Sequence, residues 1–183
     1  MADARAELNV FRALAADTAH ESAGSLELEV VACFDELRGP LFRYLLSLGL
    51  PEHDCEEIVQ EAFLALFRHL QRGRPRHNLR GWLFRVAHNL GLRKRQRTRA
   101  TEEIVDSAVD PAPNPEAQFA AHQTQQRLMA VLEALPEQDR RCISLRAEGL
   151  RYREIAEVLE ISLGSVSVAL TRSLARIARA AER

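Results

Sequence analysis

The stretch Leu79-Arg-Gly-Trp-Leu-Phe-Arg-Val-Ala-His-Asn-Leu-Gly-Leu-Arg-Lys-Arg-Gln-Arg-Thr-Arg99 decides how the rest of the chain is read. Leu79, Trp82, Leu83, Val86, Ala87 and Leu90 recur at steps of three and four, which is one stripe of an amphipathic helix. The charge around that stripe is one-sided. From Arg68 to Arg99 there are eleven Arg or Lys (68, 72, 74, 76, 80, 85, 93, 94, 95, 97, 99) and no Asp or Glu. A solvated helix face usually interleaves both signs. A buried stripe with an uncompensated positive remainder therefore points to a polyanion, nucleic acid. Trp82 shares its stripe with Leu83, Val86 and Leu90 and reads as core rather than as a wedge between bases.

Working outward, the 183 residues suffice for one ordinary domain or two small ones. Net charge is only −1, but it is segregated, with ten acidic residues from Glu21 to Glu61 against Arg38 and Arg43 alone. An acidic helical half ahead of a basic one suggests two partners, one for each surface. Of the 25 basic residues 24 are Arg, whose planar fork suits phosphate and base edges.

The cysteines Cys33, Cys55 and Cys142 show no paired spacing, which fits a reducing cytosol and no disulfide framework. His53-x-Cys55 has no second pair nearby, so no metal site is expected. No apolar run approaches a membrane span and the amino terminus lacks a signal-peptide core, so the expectation is a soluble cytoplasmic protein without membrane insertion. Gly-rich phosphate loops and Ser/His/Asp or Cys/His groupings are also missing. The chain therefore reads as no enzyme, with no catalytic residue and no cofactor. His69, His77 and His88 stand among arginines and read as polar surface or nucleic-acid contacts.

In chain order, residues 1–24 read as a flexible tail. A firm helical period follows through Val30, Val31, Phe34, Leu37, Leu41, Tyr44, Leu45 and Leu48, with a break or kink at Gly39-Pro40. Asp54 is placed to cap the next helix, with Glu57 reaching back, and Ile58, Val59, Ala62, Phe63, Leu66, Phe67 and Leu70 give it a wide apolar face. Gly73 and Pro75 make residues 71–78 a basic loop ahead of the Leu79 helix. Prolines 111, 113 and 115 mark 100–117 as a flexible linker.

Beyond it, Leu128, Val131, Leu132 and Leu135 form one helical face ending at Pro136. Cys142, Ile143 and Leu145 form another, stopped by Gly149. Then Ile155, Ala156 and Leu159, a turn at Glu160-Ile161-Ser162, and Val166, Ala169 and Leu170 make a helix-turn-helix pattern capped by Ser162. The fold class is all-α. It comprises two small helical domains (25–99 and 118–183) joined by a flexible Pro-rich linker, the second containing a helix-turn-helix.

Three blocks, Asp54-x-x-Glu57-Ile-Val-Gln-Glu-x-Phe63, Gly81-Trp-Leu-Phe-Arg-Val-Ala-His-Asn89, and Leu135-Pro-Glu-Gln-x-Arg140 followed by Tyr152-x-Glu-Ile-Ala156, occur in this order and together resemble a bacterial RNA polymerase sigma factor of the extracytoplasmic-function class. The resemblance implies that Asp54, Glu57, Gln60 and Glu61 dock on core RNA polymerase. It implies that Arg72, Arg74, Arg76, His77, Asn78, Arg80, Arg85, His88, Asn89, Arg93 and Arg95 meet the minus-ten element of promoter DNA. Arg151, Tyr152, Ser165, Ser167, Thr171, Arg172 and Arg176 would read the minus-thirty-five element.

Core polymerase and promoter DNA are the implied partners, with room for an anti-sigma factor. A stand-alone helix-turn-helix regulator is the alternative, and it leaves the Asp54 helix and the Arg68–Arg99 block unexplained. Departures from the family pattern are Glu160 where the turn usually has Gly, Ser167 and Ala169 where Lys or Arg is usual, and Arg93 in place of an acid.

Overall fold

The computed structural model describes residues 26–102 and 129–181, and all regular structure among them is α-helical. The expected tail lies outside the described residues, as do most of the expected linker and the start of the second domain. The helices are α1 (26–47), α2 (Glu52–Gln71), α3 (Leu79–Glu102), α4 (129–133), α5 (Glu137–Ala147), α6 (Tyr152–Leu159) and α7 (Leu163–Ala181). Helix α3 runs to Glu102, so residues 100–102 of the expected linker are helical. Two clusters result, α1–α3 and α4–α7, and they meet through α3 and α6.

Helix α1 buries Leu37, Leu41, Tyr44 and Leu45, with Leu48 buried just past its end, which puts one face inward. Val31 falls off that line and is 55% exposed, against the sequence expectation. The helix also continues through Gly39-Pro40 rather than breaking there. On α2 the expected apolar face is inward, with Phe67 half-buried. Its start differs: the cap position is Pro51, and the Cys55 N–H donates to the Pro51 carbonyl at 3.0 Å. Proline's fixed φ favours helix entry there. Asp54 therefore sits inside the first turn and forms no cap.

Helix α3 differs most from its sequence reading. Leu83 and Ala87 are buried, with Leu79, Trp82, Val86 and Leu90 packed half-buried on the core, as the first stripe requires. A second stripe, Arg80, Phe84, His88, Gly91 and Arg95, also turns inward. Phe84 and His88 are buried, and a Cβ on Gly91 would come within 3.1–3.2 Å of Leu45, Leu48 and Leu50. One helix thus packs on α1 and α2 and on the second cluster together.

Within the second cluster α6 and α7 meet at 109° across a three-residue turn. The Ser165 N–H donates to Ser162 Oγ at 3.0 Å, the expected cap. Glu160 closes α6 in the left-handed region at φ 54°, ψ 41°, a conformation that costs a non-glycine residue on the order of 1 kcal/mol. Its side chain is exposed. Glu160→Gly is expected to raise Tm by about 2–4 °C, the shift for about 1 kcal/mol in a chain of this size. A thermal melt by circular dichroism showing no rise would mean the turn is not strained.

Candidate nucleic-acid interface

The residues expected to meet nucleic acid fall into three groups. Arg72, Arg74 and His77 are exposed on the α2–α3 loop. That loop is held from within, because His69 Nε2 donates to the Pro75 carbonyl at 3.0 Å and the His69 ring lies 4.6 Å from that of Trp82. Arg85, Asn89 and Arg93, spaced four apart, form the solvent stripe of α3. A third group is already occupied. Arg76 pairs with Glu29 at 2.7 Å, and Asn78 Oδ1 accepts the Gly81 N–H at 3.1 Å, capping α3.

Arg80 and Arg95 reach across to the second cluster. Arg80 Nη2 donates to the Glu148 carbonyl at 2.7 Å, and Arg95 Nη1 to Glu137 Oε1 at 2.7 Å. Gly149, at φ 86°, turns the chain just after that carbonyl. A Cβ there would approach Arg80 Nη2 to 3.4 Å. The Glu148 carboxylate is gripped in turn by Arg43, whose Nε and Nη2 donate at 3.0 and 2.6 Å. Glu148 is therefore held at both its carboxylate and its backbone carbonyl by arginines of the other cluster. Part of the basic run that suggested an outside partner is thus satisfied within the chain, Arg76 by Glu29 and Arg80 and Arg95 by the second cluster.

His88 is buried, against its expected role as a DNA contact. Its Nδ1 lies 2.7 Å from Tyr44 Oη, and burial together with the nearby Arg141 charge pushes the imidazole down to about 4. In this arrangement no edge of the ring is open to a ligand.

The expected polymerase-binding set is divided too. Asp54 is only 4% exposed and sits 3.1 Å from the Nζ of Lys94, the one lysine of the chain. Lys94 also donates to Glu57 at 2.7 Å, and these two carboxylates hold its ammonium above its usual range. Glu57, although paired with Lys94, stays exposed on the outer edge of α2 with Gln60 and Glu61, as does Glu56, which lies outside the expected polymerase-binding set.

In the second cluster Arg151, Tyr152, Ser167, Thr171 and Arg176 are exposed and Ser165 is half-buried. Arg172 is engaged in a fork on Asp139, Nε and Nη2 at 2.7 and 2.6 Å, and Asp139 is buried. Ala169 is buried, so the missing basic residue there would have faced the core. A groove of about 1040 Å³ brings Asn78 and Arg80 from the expected minus-ten set together with Arg151, Tyr152 and Ser167 from the expected minus-thirty-five set. The three cysteines are unpaired, and burial raises the Cys55 and Cys142 thiols to about 11. No cluster of three or more metal-ligating side chains occurs among the described residues, and no helix there is by itself long and apolar enough to cross a membrane.

Residues 33–101 match the family Sigma-70 region 2, and residues 125–177 match Sigma-70, region 4. The chain is 35% identical over 132 residues to the ECF RNA polymerase sigma factor SigE of Mycolicibacterium smegmatis, a match covering 69% of this chain and 51%, about half, of that protein. It is 30% identical over 142 residues to the ECF RNA polymerase sigma-E factor of Escherichia coli K12, covering 70% of this chain and 74% of that one. Among solved structures it resembles CnrH in complex with the cytosolic domain of CnrY, with TM-score 0.57, 25% identity and coverage of 88% and 92%. In fold it also resembles the sigma factor RpoE of Bartonella quintana in complex with the anti-sigma factor NepR, with TM-score 0.59, 21% identity and coverage of 86% and 97%.

The buried His88 generates a pH prediction. Its folded value, about 4, lies below the ordinary 6.5, so between these values the unfolded chain binds the extra proton. Stability then rises with pH, and this contribution is lost as pH falls from 6.5 toward 4. From pH 7 to pH 5 the loss is roughly 2 kcal/mol at most. Urea melts at the two pH values should show it in the wild type and not in His88→Gln. An equal loss in the variant would place the effect elsewhere.

Proposed function

The chain belongs to the extracytoplasmic-function class of bacterial RNA polymerase sigma factors, and we propose that it works within that class as a promoter-specificity subunit in two steps, closed and open. It binds core RNA polymerase and directs promoter recognition, opening and initiation, with no catalysis of its own. The ordered match of both clusters to sigma-70 regions 2 and 4 carries this function. On this reading the domains are 25–99 and 118–183, joined by 100–117; matches over 33–101 and 125–177 support the division, with α3 itself continuing to Glu102. The exposed edge of α2 at Glu57, Gln60 and Glu61 docks on the polymerase, while the buried Asp54 acts from behind by fixing α2 to α3 through Lys94.

The loop arginines and the Arg85, Asn89 and Arg93 stripe hold the opened minus-ten strand, where a positive groove and planar guanidinium groups suit unstacked bases. Helices α6 and α7 form the helix-turn-helix that reads duplex at minus thirty-five.

The shared groove bears on how this happens. The two elements lie about 25 base pairs apart, roughly 85 Å at about 3.4 Å per pair. Residues lining one groove do not reach both at once. The clusters therefore part on the polymerase, releasing Arg80 and Arg95 from Glu148 and Glu137 to become phosphate or base contacts. An anti-sigma factor, the kind of partner present in the RpoE structure, would act on the same equilibrium.

Two outcomes test this. Gln60→Arg with Glu61→Arg should weaken binding to core polymerase about tenfold or more, because like charge is set against the partner's complementary surface. Far-UV circular dichroism should stay unchanged, since exposed charges contribute about 1 kcal/mol or less to folding. Undiminished affinity in the folded variant would exclude α2 as the docking helix. Glu148→Ala should loosen the closed arrangement, seen as a larger radius of gyration in X-ray scattering with helix content retained. A radius unchanged in both wild type and variant as salt rises would show that the clasp does not govern opening.

A further inference from the structure

Helix α7 turns an almost uncharged surface to solvent in the turns where a duplex-reading helix meets base edges. We propose that α7 reads its site through thymine C5-methyl groups packed on Val168, flanked by the Ser167 and Thr171 hydroxyls, rather than through an arginine or amide on a purine. The proposal rests on the reading of α6 and α7 as a helix-turn-helix.

Base contacts come from the N-terminal turns of a recognition helix. Helical spacing sets Gly164, Val168 and Thr171 in one line along α7, with Leu163 and Ser167 beside it. The opposite side is closed by buried Val166, Ala169 and Leu170. Yet Val168 is 60% exposed and Leu163 46%, so two large apolar side chains stand in water on the face that would enter the groove.

Side chains able to grip a purine are missing from that line. Bidentate recognition of guanine uses Arg or Lys, and of adenine Asn or Gln. The first such residue on α7 is Arg172, and it is turned aside with two donors on the buried Asp139 at 2.6 and 2.7 Å. Ser162 and Ser165 are bound to each other at 2.8 Å in the cap. Thymine alone presents an apolar group, its methyl, in the major groove, and it is the base that Val168 can distinguish.

Gly164 is an independent observation pointing the same way. A Cβ there would meet only Ser162 Oγ at 3.8 Å, and its φ is not in the left-handed region. Nothing inside the protein requires glycine at this place, although glycine weakens a helix. A bare backbone on the outer face lets a ligand come close. Arg151 and Arg153 at the start of α6 and Arg176 farther along α7 are exposed and suit the flanking phosphates.

The test uses holoenzyme made from the full chain and core polymerase, on promoters randomised upstream of a fixed minus-ten element. Selection should enrich an element containing thymine. Deoxyuridine, which removes only the methyl, is then placed at each thymine in turn. At one position or more, binding should weaken about fourfold, the value of burying one methyl-sized group. Val168→Ser should bind the thymine and deoxyuridine templates alike, whereas Val168→Ile should keep the difference. If the holoenzyme transcribes but no methyl matters, or Val168→Ser still discriminates, the proposal is overturned and the apolar face serves another contact, such as a protein. Failure to assemble with polymerase or to transcribe from any template would overturn the sigma-factor reading beneath it, and this proposal with it.

Discussion

Glu148 ends α5 with its carboxylate in the fork of Arg43 and its carbonyl on Arg80, and the position of one cluster on the other is set by these two grips. They do not supply most of the attraction. Arg43 is largely exposed, and pairs of that kind contribute about 1 kcal/mol or less. The larger share comes from apolar surface: Tyr44, Phe84 and Ala87 of one cluster and Leu150, Ile155 and Val158 of the other are closed in one continuous core, where α3 packs on α6. At about 25 cal/mol per Å² of apolar area, even a modest patch exceeds an exposed ion pair. Burial favours closing, and the arginine grips select which closed arrangement forms.

The helices themselves were legible because each carries a complete apolar period. The faces of α2 and α7, the Ser162 cap and the stop at Gly149 all follow from residues within a turn or two of one another. The left-handed Glu160 was flagged by the family resemblance instead, since glycine is usual at that place in the turn. The second buried stripe of α3 was not legible. Arg80, His88 and Arg95 read as nucleic-acid contacts, Phe84 and Gly91 carried no reading, and only the arrival of α1, α5 and α6 turns them inward. Asp54 likewise reads locally as a cap, because its partner Lys94 stands forty residues away. Pattern within a helix shows which side is apolar. It does not show which polar groups find each other across the fold.

The charge runs make the same point about the candidate site. An acidic stretch and a basic one, read along the chain, looked like two separate surfaces. In three dimensions Glu29 meets Arg76, Glu36 meets Arg80, and Asp54 and Glu57 meet Lys94. Among the described residues, what stays open to an outside polyanion includes Arg68, the loop arginines 72 and 74 and the Arg85 and Arg93 stripe, which is narrower than the composition suggested.

That division has a consequence for salt dependence. Binding of a basic protein to nucleic acid releases about one counterion per phosphate neutralised, and the salt slope follows the number released. In the closed protein Arg80 is hydrogen-bonded to the Glu148 carbonyl and faces the Glu36 carboxylate at 3.4 Å, and Arg95 is paired with Glu137 at 2.7 Å. When such a guanidinium exchanges Glu137 for a phosphate, it stays hydrogen-bonded and anion-paired, and the freed carboxylate takes up a cation that offsets the one the phosphate gives off. Added salt also weakens the grip that must first be broken. The two effects oppose one another, so arginines shared between clasp and promoter tighten specificity of geometry while adding little to the electrolyte sensitivity of the assembled complex. The arginines never engaged by the second cluster carry that sensitivity instead.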